Sequence, residues 1–221
     1  MRSHRISHIF AFPFRHPLLL VVALLFTGIF YAVSSQASLY EIENPQWVLT
    51  MATLILLSPI FNGLFILLAH GIKTGNRLSL QQAITRTLSC YVDLIAGEIM
   101  VNIGVILGSV LFFFPGVYLG LRWIFYKQEI VIDGARGIAA IRMSSERTRD
   151  WRSLLSLVLL LAPFYAPTFL IAYVVIALPL GVVGDVLVFI VSALTFAWTN
   201  TLLTEMYVPR EEGSGDRGLS T

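Results

Sequence analysis

Long apolar runs separated by short polar stretches make up most of the chain. Crossing the ~30 Å hydrocarbon layer of a bilayer takes about 20 mainly apolar residues in a helix, and residues 17–36, 47–72, 94–114 and 154–178 meet that length. Residues 182–207 are as long and carry charge only near their two ends, at Asp185 and Glu205. A sixth run, 117–132, holds Arg122, Lys127 and Glu129, and by hydropathy alone it reads equally well as a helix lying in the interface. The pattern predicts an all-α fold: a polytopic membrane bundle over residues 1–208. The polar tail at 209–221 has no apolar periodicity and is expected to be disordered.

Two further stretches have helical periodicity without the apolar length to span. Over 80–91, Leu80, Ile84, Leu88 and Tyr91 recur at helical intervals, and Ser79 with Gln82 has capping-box spacing. Over 136–151, Ile141, Ser144, Thr148 and Trp151 share one side, and Arg142, Glu146, Arg149 and Asp150 the other. Both are expected to lie along the membrane surface. Residues 32–38, AVSSQAS, follow basic residues and an apolar stretch of roughly 17 residues, so the first run also fits a cleavable secretory signal.

Composition fits this picture and narrows it. Of the 221 residues 57% are hydrophobic and only 13% charged, well to the apolar side of a soluble domain. The single cysteine, Cys90, excludes an internal disulfide and a thiolate-rich metal site. His4, His8, His16 and His70 are scattered among basic or interfacial positions, which suits headgroup contacts better than metal binding. No cofactor and no nucleic-acid partner are expected.

The net charge of +2 hides an asymmetry. Fourteen of the 15 basic residues fall in the N-terminus, the segment after the second run, residues 127–152 and the C-terminus. The connectors at 37–46, 115–116 and 179–185 contain no Lys or Arg and instead hold Glu41, Glu43 and Asp185. Cytoplasmic flanks collect Lys and Arg, so six crossings with both termini cytoplasmic put every basic cluster on one side. That arrangement requires 117–132 to be the fourth span. The fifteenth basic residue, Arg122, lies about 9 Å along that helix from its outer end at 1.5 Å per residue.

Charges inside spans mark the candidate sites, since such groups are costly in hydrocarbon and usually face a partner or a cavity. Arg122 has two readings, snorkelling to the outer interface or pairing with Asp185 at a similar depth. Glu98 and Asn102 share a face of the third span, and a hairpin at Pro115-Gly116 brings Lys127 and Glu129 to about their depth. This cluster fits either a proton or substrate path or hydrogen bonding that locks the bundle. Gly104, Gly108, Gly116 and Gly120 have the spacing for close hairpin packing around Trp123, with self-association the other use of such spacing. Arg86, Arg142, Arg147, Arg149 and Arg152 are candidate headgroup contacts.

The block PGVYLGLRWIFYKQEIVIDG followed by AAIRMSSERTRDW resembles the YciC-like group of bacterial six-span inner-membrane proteins. The same pattern occurs in the membrane domain attached to glycerophosphoryl diester phosphodiesterases. The shared features, over residues 79–154, are the Pro-Gly turn, the Arg-Trp pair, the acidic-Gly step and the basic surface helix ending in an aromatic. The resemblance implies a bacterial inner-membrane location and no agreed activity, so it supplies no catalytic residue. The phosphodiesterase itself is not implied, because the metal-binding cluster it needs is missing. On sequence grounds the chain is not an enzyme. Its expected role is structural or auxiliary, binding membrane lipids, a protein partner or a second copy, and the alternative is a small-molecule or lipid transporter. A dry, fully packed bundle would favour the first, and a cavity lined by Glu98 the second.

Overall fold

The computed structural model describes residues 10–37, 44–178 and 181–207. The tail at 209–221 and the terminal basic residues Arg2, Arg5, Arg210 and Arg217 lie outside the described residues, as does the connector from 38 to 43. Helices α1 (Pro17–Ala37) and α2 (Pro45–Lys73) are followed by α3 (Leu80–Ser89) and α4 (Tyr91–Leu111). Next come α5 (Phe113–Arg122), α6 (Tyr126–Val131) and α7 (Gly137–Arg147), then α8 (Trp151–Ala177) and α9 (Gly181–Tyr207). No strand occurs among the described residues. Five of these helices, α1, α2, α4, α8 and α9, are long and apolar enough to cross a membrane.

The run expected as one span over 117–132 is two short helices, α5 and α6, separated by a break at Trp123 to Phe125. Side chains from α7 hold the break open. The Arg122 carbonyl accepts from the hydroxyls of Ser144 at 3.0 Å and Thr148 at 2.8 Å, and the Phe125 N–H donates to Ser144 Oγ at 3.1 Å. Backbone groups released from a helix inside a bundle must find such partners, since no water replaces them. The side-chain pattern of 136–151 is thereby corrected in part. Ile141, Ser144 and Thr148 are buried against α5 and α6, while Trp151, expected beside them, is 71% exposed and begins α8.

Helix α2 is the centre of the bundle. Phe65, Ile66 and Leu67 are fully buried there, and Leu19 of α1, Leu94 of α4, Ile130 of α6 and Ala197 of α9 pack into the same core. Helix α3 starts with the capping box seen in the sequence, Ser79 accepting from the Gln82 N–H and Gln82 from the Ser79 N–H. It docks by its small residues, however. Ala83 and Thr87 are buried, and a Cβ on Gly63 of α2 would stand 2.8 Å from the Thr87 methyl, whereas Leu80, Ile84 and Leu88 face outward. Outward apolar side chains beside an embedded bundle suit contact with acyl chains.

Helices α4 and α5 form a hairpin at the Gly-rich positions. A Cβ on Gly108 would stand 3.0 Å from the Gly116 Cα, and any Cβ on Gly104 would overlap the Trp123 ring. Small residues there let the backbones approach as packing between spanning helices requires. Helices α8 and α9 pair through Phe164 with Trp198 and through Thr168 with Thr195, whose hydroxyls are 2.5 Å apart. Both hydroxyls also reach the Phe164 carbonyl, between Pro163 and Pro167, where the prolines disturb the helical ladder.

Candidate functional site

A cavity of about 310 Å³ opens where α2, α4, α6 and α9 meet, beside the break between α5 and α6. Each of these helices contributes polar side chains to a wall that the surrounding apolar sequence would otherwise make featureless: Asn62, Glu98, Lys127, Gln128, Thr199 and Asn200. Aromatic rings of Phe26, Trp123, Tyr126, Tyr165 and Phe196 fill the gaps between them.

Glu98 organises one side. Its Oε2 accepts from the Tyr126 hydroxyl at 2.5 Å and from Lys127 Nζ at 2.9 Å, and Asn102 lies one turn along α4 on the same face. The side chains of Lys127 and Glu98 are 19% and 16% exposed, so this is a largely desolvated pair that remains favourable only because another donor completes it. The hairpin does bring Lys127 to Glu98, as its spacing suggests. It takes Glu129 elsewhere.

The opposite side is short of partners. Gln128 is 1% exposed and Thr199 8%, yet Gln128 Oε1 and Thr199 Oγ1 have no hydrogen-bond partner among the described residues. An unpaired buried polar group costs about 1–3 kcal/mol. Asn62 and Asn200 are oriented by their own helices, since their Nδ2 groups donate to the carbonyls of Ser58 at 2.8 Å and Phe196 at 3.0 Å. A carbonyl cannot donate, so each amide nitrogen is fixed on the helix side and each Oδ1 is the remaining end. The wall therefore offers both donors and acceptors.

Glu129 belongs to a second network at one end of the bundle. It is 1% exposed and takes Arg147 Nε at 3.1 Å and the Tyr207 hydroxyl at 2.7 Å. Tyr207 also contacts Asp133 through the same hydroxyl, and Arg147 lies over the Tyr207 ring, 4.1 Å from its centroid, while reaching the Tyr207 carbonyl. Lys73 and Glu205, the latter two residues before Tyr207, pair at 2.6 Å, tying the last turn of α2 to that of α9.

The remaining candidates divide. Arg122 and Asp185 are not brought together. Arg122 donates to the Tyr118 hydroxyl and to the Ser145 carbonyl of α7, each at 2.9 Å, and Asp185 lies beside Tyr31 of α1. A carbonyl of the neighbouring helix thus takes the guanidinium, in place of either the outer interface or a carboxylate. Among the expected headgroup residues, Arg86 donates to the Ile132 carbonyl at 3.1 Å and Arg147 is committed to Glu129. Arg142 is exposed and pairs with Glu146 one turn along α7, and Arg149 and Arg152 are exposed.

Counting charges in the sequence missed Asn62, Gln128, Thr199 and Asn200. A signal was present in the last span, where FAWTNTLLTE interleaves uncharged polar residues with apolar ones. Comparison with family models, curated proteins and solved structures finds no match to this chain.

Proposed function

We propose that this chain is a multi-pass bacterial inner-membrane protein that binds a small polar solute in the cavity between α2, α4, α6 and α9 and carries it across the bilayer. The observation that supports this reading is the cavity itself, about 310 Å³ and lined by Glu98 and Lys127 together with Asn62, Gln128, Thr199 and Asn200, two of which, Gln128 and Thr199, also carry a buried polar atom with no partner among the described residues. Composition and charge favoured a structural or auxiliary role, but that role gives no reason to keep these atoms unpaired. The broken helix supports the carrier further, because carrier sites commonly lie at interruptions of membrane helices. Here the break supplies Trp123 and leads directly into Lys127 and Gln128.

In this reading the α5–α6 stretch returns the chain to the side it left after α2, giving six crossings with both termini cytoplasmic. The contact of Arg147 with the Tyr207 carbonyl, and of Lys73 with Glu205, supports a common end for α2, α7 and α9. A reporter fused after Asp150 is expected to read cytoplasmic. An external reading would remove the six-crossing arrangement. Exposed Arg142, Arg149 and Arg152 then meet lipid headgroups on that side, and the resemblance of residues 79–154 to the YciC-like group is part of the same proposal.

Solvent access to the cavity tests the carrier. Cys90, whose thiol burial pushes above its ordinary range, is first replaced by serine. Thr199→Cys in that background is expected to react with a small, charged, membrane-impermeant methanethiosulfonate reagent in proteoliposomes. A cysteine on the lipid face, at Val110→Cys (Val110 is 78% exposed), is expected to stay unmodified. If Thr199→Cys reacts no faster than Val110→Cys, the cavity is closed to solutes and the carrier reading fails.

A further inference from the structure

Resting on the solute-cavity reading, we infer that the solute's path continues into a second chamber between α1 and α9, and that the rings of Phe26 and Phe196 are the gate between the two. A groove of about 310 Å³ lies between these helices. Phe26 and Phe196 line it, and they also line the cavity already described, so one pair of side chains stands between the two spaces. Their ring centroids are 4.5 Å apart at an interplanar angle of 36°, which is contact distance for aromatic rings. Phe61 and Phe65 of α2 back the pair, each with its centroid 5.5 Å from Phe26 and from Phe196 respectively.

The two chambers are stacked along one face of α9. Val188, Phe189, Ser192 and Phe196 line the groove, and Phe196, Thr199, Asn200 and Leu203 line the cavity. Positions three or four apart share a face of a helix, and Val188 to Leu203 covers about 22 Å at 1.5 Å per residue. That is most of the ~30 Å hydrocarbon layer. The cavity lies toward the end of α9 that pairs with Lys73, and the groove toward the end where Asp185 stands beside Tyr31. Two chambers in line with a barrier between them suit a site that is reached from one face at a time.

The lining of the groove suits a solute better than an acyl chain. Thr27, Tyr31 and Ser34 recur along α1 at steps of four and three, which puts three hydroxyl-bearing residues on the face turned to α9, and Ser192 adds a fourth from α9 itself. Apolar walls with a few convergent polar groups are the usual make-up of a small-molecule site, whereas lipid tails require no hydroxyl. Asp185 is exposed and lies one turn from the start of α9. The groove therefore ends at a depth where a charge meets headgroups and water rather than hydrocarbon.

Cysteine accessibility tests the gate, with Cys90→Ser as the background throughout and trimethylammonioethyl methanethiosulfonate as the impermeant reagent. Right-side-out spheroplasts and inside-out vesicles expose the two faces of the membrane separately. Ser192→Cys is expected to react from one face, and Thr199→Cys to react from that face more slowly. Phe196→Ala is expected to raise the Thr199→Cys rate from the Ser192 face about tenfold, the upper end for losing one aromatic pair. The rate from the other face is expected to stay as it was. Phe26→Leu removes the other ring while keeping apolar bulk, and serves if Phe196→Ala folds poorly.

If Ser192→Cys reacts no faster than the lipid-facing Val110→Cys, the groove is filled by acyl chains and the second chamber is overturned. A Thr199→Cys rate that neither ring substitution changes overturns the gate. An equal rise from both faces overturns it as well, because the rings would then hold the bundle together rather than separate two chambers. Each of these results leaves the solute cavity standing provided Thr199→Cys is modified faster than Val110→Cys, so the two readings fail separately.

Discussion

Arg147→Ala is expected to be among the most damaging single substitutions in the protein, lowering stability by roughly 3–4 kcal/mol, the lower part of the scale for a broken buried ion pair, because Glu129 is buried while the Arg147 side chain is 34% exposed. The loss comes from what is left behind. Glu129 is 1% exposed and would keep a carboxylate whose remaining donor is the Tyr207 hydroxyl, itself shared with Asp133. The same change removes the guanidinium from the Tyr207 ring and carbonyl, loosening α7 from the end of α9. For a chain of this size the effect corresponds to a fall in unfolding temperature on the order of 10 °C. The double variant Arg147→Met with Glu129→Gln, which removes both charges and keeps the bulk, is expected to recover most of the loss. A single variant that melts together with the wild type would mean that Glu129 is not held by Arg147.

The second large effect is expected at the cavity. Lys127→Met strands Glu98, but less severely, because Glu98 is partly exposed and the Tyr126 hydroxyl continues to donate to it. A cost of about 3 kcal/mol follows from the lower end of the range for a broken buried pair. Adding Glu98→Gln should restore much of it, since glutamine accepts from the Tyr126 hydroxyl without a charge to neutralise. Thermal melts of the two singles and the double in nanodiscs give the coupling directly. If the three variants show additive losses, the 2.9 Å contact contributes nothing to stability.

Much of the architecture was legible in the sequence because it depends on few variables. Apolar length set the five long helices, and the Ser79–Gln82 spacing set the start of α3. The glycine spacing placed α4 against α5 around Trp123. The site was legible only where charge marked it. Glu98, Asn102 and Lys127 do meet, since a hairpin turn and helical periodicity fix their relative depth. Glu129, two residues beyond Lys127, points away to Arg147 because α6 presents the two side chains to different neighbours.

The failures share a cause. Pairing Arg122 with Asp185 assumed that a buried cation must find an anion, yet a backbone carbonyl on α7 was available and closer. One continuous fourth span rested on the placement of Lys and Arg, which bears on sidedness and not on helix continuity, yet Ser144 and Thr148 sit where they can satisfy a broken backbone. Neither partner is adjacent in sequence.

By itself, then, the sequence determined an all-helical, membrane-compatible chain with its polar residues confined to a few depths, because burying backbone and apolar side chains in lipid leaves few alternatives. Tertiary structure decided which of those polar residues face one another. Hydrogen bonding is short-ranged and directional, so the cavity acquired its polar wall only when α2, α6 and α9 set Asn62, Gln128 and Thr199 around one space.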